Sequence, residues 1–263
     1  MSSDAPQLDI VIPVYNEREN ILRTLDALVA RVHAPFRVMI CYDFDEDDTL
    51  VAVRERAAFT DVEFVKNRGR GAHEAVMTGF QHSRTPYVVV YAADDDYNAG
   101  ILDGMLQRAK EGNDIVCASR FMPGGSMTRC PWLKAVFVRL ASFTLYHFAR
   151  IPTHDCSNGF RLFSRRLLDR VHIESHQGFT YSIELLAKCH RLRWQIAEVP
   201  AQWKERAHGQ SRFRVIRWLP AYLRWYVHIL ATRLLQRGAA SVPTNRVRGS
   251  EISLSSSHEN SSL

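Results

Sequence analysis

From Leu8 to Ala118, short apolar runs alternate with longer stretches whose apolar residues recur at helical spacing. Strands are expected at Leu8–Val14, Phe36–Tyr42, Val62–Val65, Tyr87–Tyr91 and Asp114–Ala118. Between them lie four helical patterns: Glu17–Ala30, with Ile21, Leu22, Leu25 and Leu28 on one face, Thr49–Phe59, Ala72–His82 and Ile101–Glu111. Strand and helix taken in turn mark βαβ units, which feed a parallel sheet with helices on both faces. The chain then changes character. Pro123-Gly124-Gly125 leads into a helix, Trp132–Phe148, that is apolar on most faces and reads as a wall or lid beside the sheet. A strand at Gly159–Phe163, a helix near Thr180–His190 and a strand at Gln195–Val199 follow.

The run Trp218–Leu235 approaches the length of a membrane span, but Arg224 and Arg233 would each cost about 2.5–3.5 kcal/mol at its centre, which argues against spanning. On a wheel Leu219, Tyr222, Leu223, Tyr226, Val227, Leu230 and Leu234 share one face and Arg217, Arg224 and His228 the other. Trp218 and Trp225 lie on the border, and Pro220 falls in the first turn. This is the pattern of an amphipathic helix lying in a membrane surface, with packing on the chain's own core or on a partner subunit as the alternative. Beyond Gly238 the chain is rich in Ser, Asn and Gly and weakly apolar, as disordered tails are. The expected organisation is a Rossmann-like α/β domain over 1–211, the amphipathic helix over 212–238 and a disordered tail over 239–263.

Charge narrows the partners. The 263 residues carry 34 basic and 28 acidic side chains, a formal +6, and Lys66, Lys110, Lys134, Lys188 and Lys204 are the only lysines. The rest are arginines, whose planar fork suits phosphates and carboxylates. Five dispersed cysteines without a CxxC pair suggest neither a disulfide framework nor a zinc site and fit a reducing compartment. The N-terminus lacks the basic start and apolar stretch of a signal peptide, so the chain is expected on the cytoplasmic side, peripheral to the membrane.

In an open parallel sheet, ligands bind beyond the carboxyl ends of the strands. The loops expected there are polar: Pro13-Val14-Tyr15-Asn16-Glu17, the acidic run Asp43–Asp48, Asn67-Arg68-Gly69-Arg70-Gly71 and Asp94-Asp95-Asp96. Three adjacent carboxylates repel one another, and a hard divalent cation shared with substrate phosphates offsets that repulsion; a solvated turn capping the next helix is the plainer alternative. Asp43 suits a nucleobase or ribose, whereas Asp47 and Asp48 suit the cap of the helix at Thr49. The glycine loop opens a helix whose amides favour phosphate, although Glu74 stands where a dinucleotide fingerprint needs its third glycine. Acidic loops at this edge would repel a nucleic-acid backbone, so nucleic acid is not expected as a partner.

Taken in order, VIPVYNE, the acidic loop at Asp43, NRGRGAHEAVMTGF, the Asp94–Asp96 turn, SRFMPGG, DCSNGFR and EVPAQWKERAHGQSRF resemble the family 2 inverting glycosyltransferases of GT-A fold. More narrowly they resemble the polyprenyl-phosphate group typified by dolichol-phosphate mannosyltransferase. The resemblance runs from about Leu8 to Tyr226. It implies that Pro13, Tyr15, Glu17 and Asp43 hold the base and ribose and that Gly71 lets the backbone approach the ligand. Asp94 and Asp96 would serve Mg²⁺ or Mn²⁺ and the diphosphate of a GDP- or UDP-sugar, with Asp95 the alternative second ligand. Arg120 and Lys134 would face the phosphate of a polyprenyl (dolichyl or undecaprenyl) acceptor, while Arg206 and Ser211 would close over the diphosphate. The chain departs from the family at Ala92, where an acid is usual, and at Lys134, where Arg is common.

A phosphate acceptor is already a nucleophile, whereas an acceptor hydroxyl needs a general base, for which Asp155 and Glu184 are the candidates. The expectation is transfer of a hexose to polyprenyl phosphate at the membrane surface. The alternatives are transfer to a saccharide or glycolipid hydroxyl, and a non-catalytic scaffold that binds nucleotide-sugars.

Overall fold

The computed structural model describes residues 5–56, 62–204, 215–235 and 238–245. Seven strands form one sheet in the order β3-β2-β1-β4-β7-β5-β8. They are β1 (Leu8–Pro13), β2 (Phe36–Tyr42), β3 (Val62–Lys66), β4 (Tyr87–Val90), β5 (Ile115–Ser119), β7 (Arg161–Ser164) and β8 (Ile196–Pro200). All run parallel except β7, which lies antiparallel between β4 and β5. The helices are α1 (Arg18–Arg31), α2 (Asp48–Arg54), α3 (Ala72–His82), α4 (Leu102–Lys110), α5 (Trp132–Ala149), α6 (Arg165–Arg170), α7 (Thr180–Arg191) and α8 (Val215–Leu234). Strands β6 (Ser126–Thr128) and β9 (Gln202–Lys204) pair as a separate two-stranded ribbon.

Alternation along the strands separates two apolar layers. Leu8, Ile10 and Ile12 of β1 join the layer of α1, α2 and α4, while Val11 joins the layer of α3, α5, α7 and α8. Helix α3 lies so close to the sheet that a Cβ on Gly79 would meet Val11 Cγ1 at 2.5 Å, so only glycine fits there. The strand order reverses between β1 and β4, and at such a switch point the carboxyl-end loops part to leave a crevice. The polar loops of β1, β2, β3 and β4 therefore share one edge.

Several local expectations change. Sequence patterning gave no sign of β6, β9 or α6, which are three to six residues long and too short to show a period. Helix α8 begins at Val215, so Pro220 sits inside it rather than in its first turn. The proposed amphipathic face divides. Leu219, Leu223, Val227 and Leu234 are exposed, Tyr222, Tyr226 and Leu230 pack partly against the core, and Trp225, placed on the border, is 2% exposed. Residues 239–245 also depart from the expected disordered tail: Val242 is buried, Thr244 bridges Val171, and Asn245 donates to Arg170 and Asp169 carbonyls. A short polar segment is ordered here by backbone pairing that its composition does not reveal.

Candidate functional site

The first loop is held from its neighbour. Asp47 is fully buried, caps α2 by accepting from Thr49 N at 2.9 Å, and also accepts from Asn16 N at 3.1 Å. Thr49 Oγ1 accepts from Glu17 N at 2.9 Å, while Asp48, in the first turn of α2, accepts from Arg18 N. The capping assignment thus stands for Asp47 but not for Asp48, which is the first residue of α2 and accepts from the β1 loop instead, and the Asp47 cap fixes Asn16 at φ 53°, which turns the chain between Tyr15 and Glu17. Tyr15 meets Phe44 edge-on with ring centroids 5.4 Å apart, so the β1 and β2 loops form one wall. Pro13 closes β1, and the Glu17 carboxylate accepts from Asn20 Nδ2 at 2.8 Å.

Asp43 binds the glycine loop. Its Oδ1 accepts from Asn67 Nδ2 and its Oδ2 from Gly71 N, both at 2.8 Å. Gly71 has φ 89°, a conformation that a side chain strains, and it caps α3. Asn67 also accepts from Thr78 Oγ1 at 3.0 Å, which ties the loop to the body of α3.

The triple aspartate is divided by burial. Asp95 is 8% exposed and is enclosed by its own turn: Oδ1 accepts from Asn98 N at 2.9 Å and from Tyr97 N, and Oδ2 accepts from Asn98 Nδ2 at 2.7 Å. Burial raises the Asp95 carboxyl, and the Asn98 and Tyr97 donors only partly oppose this. Tyr97 is itself pushed up to about 12 by burial and by the Asp95 charge. Asp94 and Asp96, two positions apart, remain half-buried at the surface of the turn. Asn98, which the sequence reading missed, also exchanges hydrogen bonds with Gln202, accepting from its N at 3.0 Å and donating to its carbonyl at 2.9 Å. The acidic turn is thereby fixed to β9. Arg206 and Ser211, a few residues further on, lie outside the described residues.

Arg120 follows β5 and is bound to Asp155. Nε donates to Oδ2 at 2.6 Å and Nη2 to Oδ1 at 2.9 Å, with Asp155 fully buried and Arg120 9% exposed. Asp155 also accepts from Arg120 N, Ser157 N, Ser157 Oγ and Asn158 N. Burial acts to raise the Asp155 carboxyl, but these donors, Arg120 foremost, outweigh it and hold the group below the ordinary carboxylate range. Such a carboxylate has no lone pair left for a substrate proton, so Asp155 is not placed to act as a general base. Glu184 is no better: it is fully buried, accepts from Lys188 Nζ at 2.6 Å and from Glu174 N and Ser175 N, and belongs to the packing beneath α8. Lys134, on α5, lies with Nζ 4.9 Å from the Trp203 ring of β9.

The sites expected from sequence therefore fall into three groups. Tyr15, Glu17, Asp43 and Gly71 are joined through the α2 cap and the glycine loop. Asp94–Asp96 and Lys134 both adjoin β9, and Arg120 with Asp155 forms a separate clamp. Among the described residues no three His, Cys, Asp or Glu side chains gather as a metal cage. Two half-buried carboxylates at Asp94 and Asp96 are a hard-oxygen donor set, which fits a divalent cation that completes its shell with phosphate and water rather than with protein alone.

Residues 9–171 match the glycosyl transferase family 2 domain. The chain is 28% identical over 214 residues to polyprenol monophosphomannose synthase of Mycolicibacterium smegmatis, covering 77% of this chain and 79% of that protein. It is 27% identical over 218 residues to undecaprenyl-phosphate 4-deoxy-4-formamido-L-arabinose transferase of Pseudomonas aeruginosa, covering 81% of this chain and 62% of that one. Glucosyl-3-phosphoglycerate synthase of Mycobacterium tuberculosis, solved with Mn²⁺ and uridine diphosphate, shares the fold with a TM-score of 0.61 at 17% identity, covering 87% and 80% of the two chains. The doubly wound sheet and its strand-end loops, together with a family 2 domain over most of that sheet, make this chain a GT-A glycosyltransferase that belongs to glycosyl transferase family 2.

Proposed function

We propose that the protein transfers a hexose, with inversion, from a GDP- or UDP-sugar to a polyprenyl phosphate at the cytoplasmic membrane surface. The observation that carries this reading is the meeting of a polar strand-end rim with an apolar exterior. Phe121, next to Arg120 at the rim, lies under the Arg139 guanidinium of α5, 5.0 Å from its ring centroid. Outward from there α5 exposes Trp132, Leu133, Val136, Phe137, Leu140, Phe143 and Phe148, and α8 packs beside it with its own exposed stripe. The rim at which an acceptor phosphate would arrive thus borders an exposed apolar surface suited to a lipid chain. The two relatives named above, whose names specify polyprenol and undecaprenyl phosphate, support the same acceptor class.

The protein's own groups suit this reaction. The β1 and β2 loop wall and the Asp43-bound glycine loop would hold the nucleoside, with Asp94 and Asp96 nearest the diphosphate. These two carboxylates would hold Mg²⁺ or Mn²⁺, which when bound neutralises charge on the departing nucleoside diphosphate. An oxygen of the acceptor phosphate forms the new bond to the anomeric carbon as the bond to the diphosphate oxygen breaks on the opposite face. A phosphate needs no base for this step, which agrees with the closed hydrogen-bond shells of Asp155 and Glu184 and disfavours a hydroxyl acceptor. Arg120 and Asp155 act as a positioning pair that holds the loop after β5.

Screening GDP- and UDP-hexoses with Mn²⁺ by thermal shift identifies the donor through ligand-linked stabilisation. Transfer is then measured to polyprenyl phosphate and to sugar or glycolipid hydroxyls, with the product anomer read by NMR. The expected product is an inverted glycosyl phosphate, lost on chelation and reduced about 100-fold or more in Asp94→Asn. Transfer to hydroxyls alone, or nucleotide-sugar binding without transfer to any acceptor, overturns the reading.

A further inference from the structure

The residues after β4 alternate between two sides of their turn. Ala92 is exposed and Asp94 and Asp96 are half-buried, whereas Ala93, Asp95 and Asn98 are buried. Asp95 N donates to the Ala92 carbonyl at 3.2 Å and closes the turn. On the inner side Asn98 uses both of its amide hydrogens. Nδ2 donates to Asp95 Oδ2 at 2.7 Å and to the Gln202 carbonyl at 2.9 Å, and Oδ1 accepts from Gln202 N at 3.0 Å. The side-chain amide thus exchanges both bonds with one residue of β9, as a paired strand does. Asn98 is 3% exposed, so a lost partner would leave a buried polar group unsatisfied.

Strand β9 is itself a fixed reference. It is laddered to β6, and Ala201, just before it, donates from N to the Ser119 carbonyl of β5 at 2.9 Å and accepts from Ser126 N at 3.0 Å. Through Asn98 the acidic turn is therefore set against the carboxyl end of β5, two strands away from β4 in the sheet. Both Asp95 oxygens are spent on this inner brace, since Oδ1 accepts from Asn98 N and Tyr97 N and Oδ2 from Asn98 Nδ2.

We infer that Asn98 is a positioning residue for the divalent cation: with Asp95 it forms a brace that presents Asp94 and Asp96 as the ligands, and Asp95 is not a ligand. The inference rests on the reading given above that Asp94 and Asp96 hold the cation. The two roles open to Asp95 predict opposite signs. Were Asp95 a ligand restrained by Asn98, Asn98→Ala would free its carboxylate and leave cation binding unchanged or tighter. As a brace, its loss lets the outer carboxylates drift. The test titrates Mn²⁺ into the full chain with GDP or UDP, whichever the wild type binds, and reads free Mn²⁺ by EPR. Asn98→Ala weakens Mn²⁺ about 10-fold or more, the effect of groups that orient metal ligands, while nucleotide affinity in EDTA stays within about 2-fold and shows that the variant is folded. Gln202→Ala keeps both bonds to Asn98, which its backbone makes, and stays within about 2-fold of the wild type. In transfer assays the Mn²⁺ concentration for half-maximal rate rises about 10-fold in Asn98→Ala, and kcat at saturating Mn²⁺ stays within about 3-fold. A lower kcat with unchanged half-saturation makes Asn98 structural only and overturns the inference. A wild-type measurement decides the case if the variant does not fold. Adding Mg²⁺ to the nucleotide-bound protein slows hydrogen exchange at the Gln202 amide about 3-fold or more, because a cation that needs the braced turn stabilises the brace in return. Unchanged or tighter Mn²⁺ binding in Asn98→Ala, or unchanged exchange at Gln202, overturns the inference and leaves the cation reading standing. Equal Mn²⁺ binding by the wild type and Asp94→Asn overturns the cation reading, and the inference with it.

Discussion

The Arg120–Asp155 pair shows how a residue named by a motif can differ in role from what the motif suggests. Removing one partner of a buried ion pair leaves the other desolvated and unpaired, so Asp155→Asn should cost about 3–5 kcal/mol in urea unfolding. The sign with pH follows from the lowered native carboxyl. Its stabilisation is full above the unfolded value of about 3.9 and is lost as pH falls through the lower native value. Asp9, at the amino end of β1, is likewise held low by Arg37 and Ser83 against the effect of burial and adds to the same loss. Unfolding free energy should therefore drop below about pH 4, and more shallowly in Asp155→Asn; an identical slope in both proteins would remove Asp155 from the account. At Gly71 the prediction is steric. Gly71→Ala at φ 89° should cost about 1–2 kcal/mol and lower nucleotide affinity, read by thermal melting and calorimetry, because the strained loop loses the Gly71 N bond to Asp43. The left-handed turn was partly legible, since Arg68-Gly69-Arg70-Gly71 opens a helix. That Asp43 lies beneath it was not, because the two are 28 residues apart and meet only in the folded sheet.

At the scale of elements, period and length decided what could be read. Strand β2 and helix α3 have the expected boundaries because a long buried strand and an amphipathic helix each carry a full period. The antiparallel insertion of β7 was not legible, as an apolar run fixes burial but not direction. Helix α8 is the instructive case. A wheel finds an apolar face but cannot tell which part of it meets the protein, and here Trp225 and Ile229 face inward while Leu219, Leu223 and Val227 do not. The two sides should respond oppositely. Trp225→Ala should cost about 3–5 kcal/mol in unfolding, whereas Leu223→Ala should stay within about 0.5 kcal/mol of the wild type. Comparable losses in the two variants would mean that the exposed stripe is covered in the free protein.

For the whole molecule, the net +6 is the sum of unlike regions: acidic loops at one sheet edge and a flank where arginines are interleaved with exposed apolar side chains of α5 and α8. Among the described residues no helix is long and apolar enough to cross a membrane, and the proposed lipid acceptor makes contact with a membrane surface the property to test. Two forces could hold the protein there, and salt separates them. Raising ionic strength from about 0.1 to 1 M shortens the screening length from about 10 to 3 Å and removes attraction to anionic headgroups, but leaves apolar insertion intact. Each large apolar side chain inserted contributes about 1.5–3 kcal/mol. Flotation with phosphatidylglycerol vesicles should then show binding that weakens in 1 M salt without vanishing, and that falls about 100-fold or more in Phe137→Glu, Leu223→Glu while the melting temperature holds. Complete release by salt alone would assign the contact to charge and leave the α5 and α8 stripes to a partner protein. Binding unchanged by the double substitution would place the membrane contact on another face.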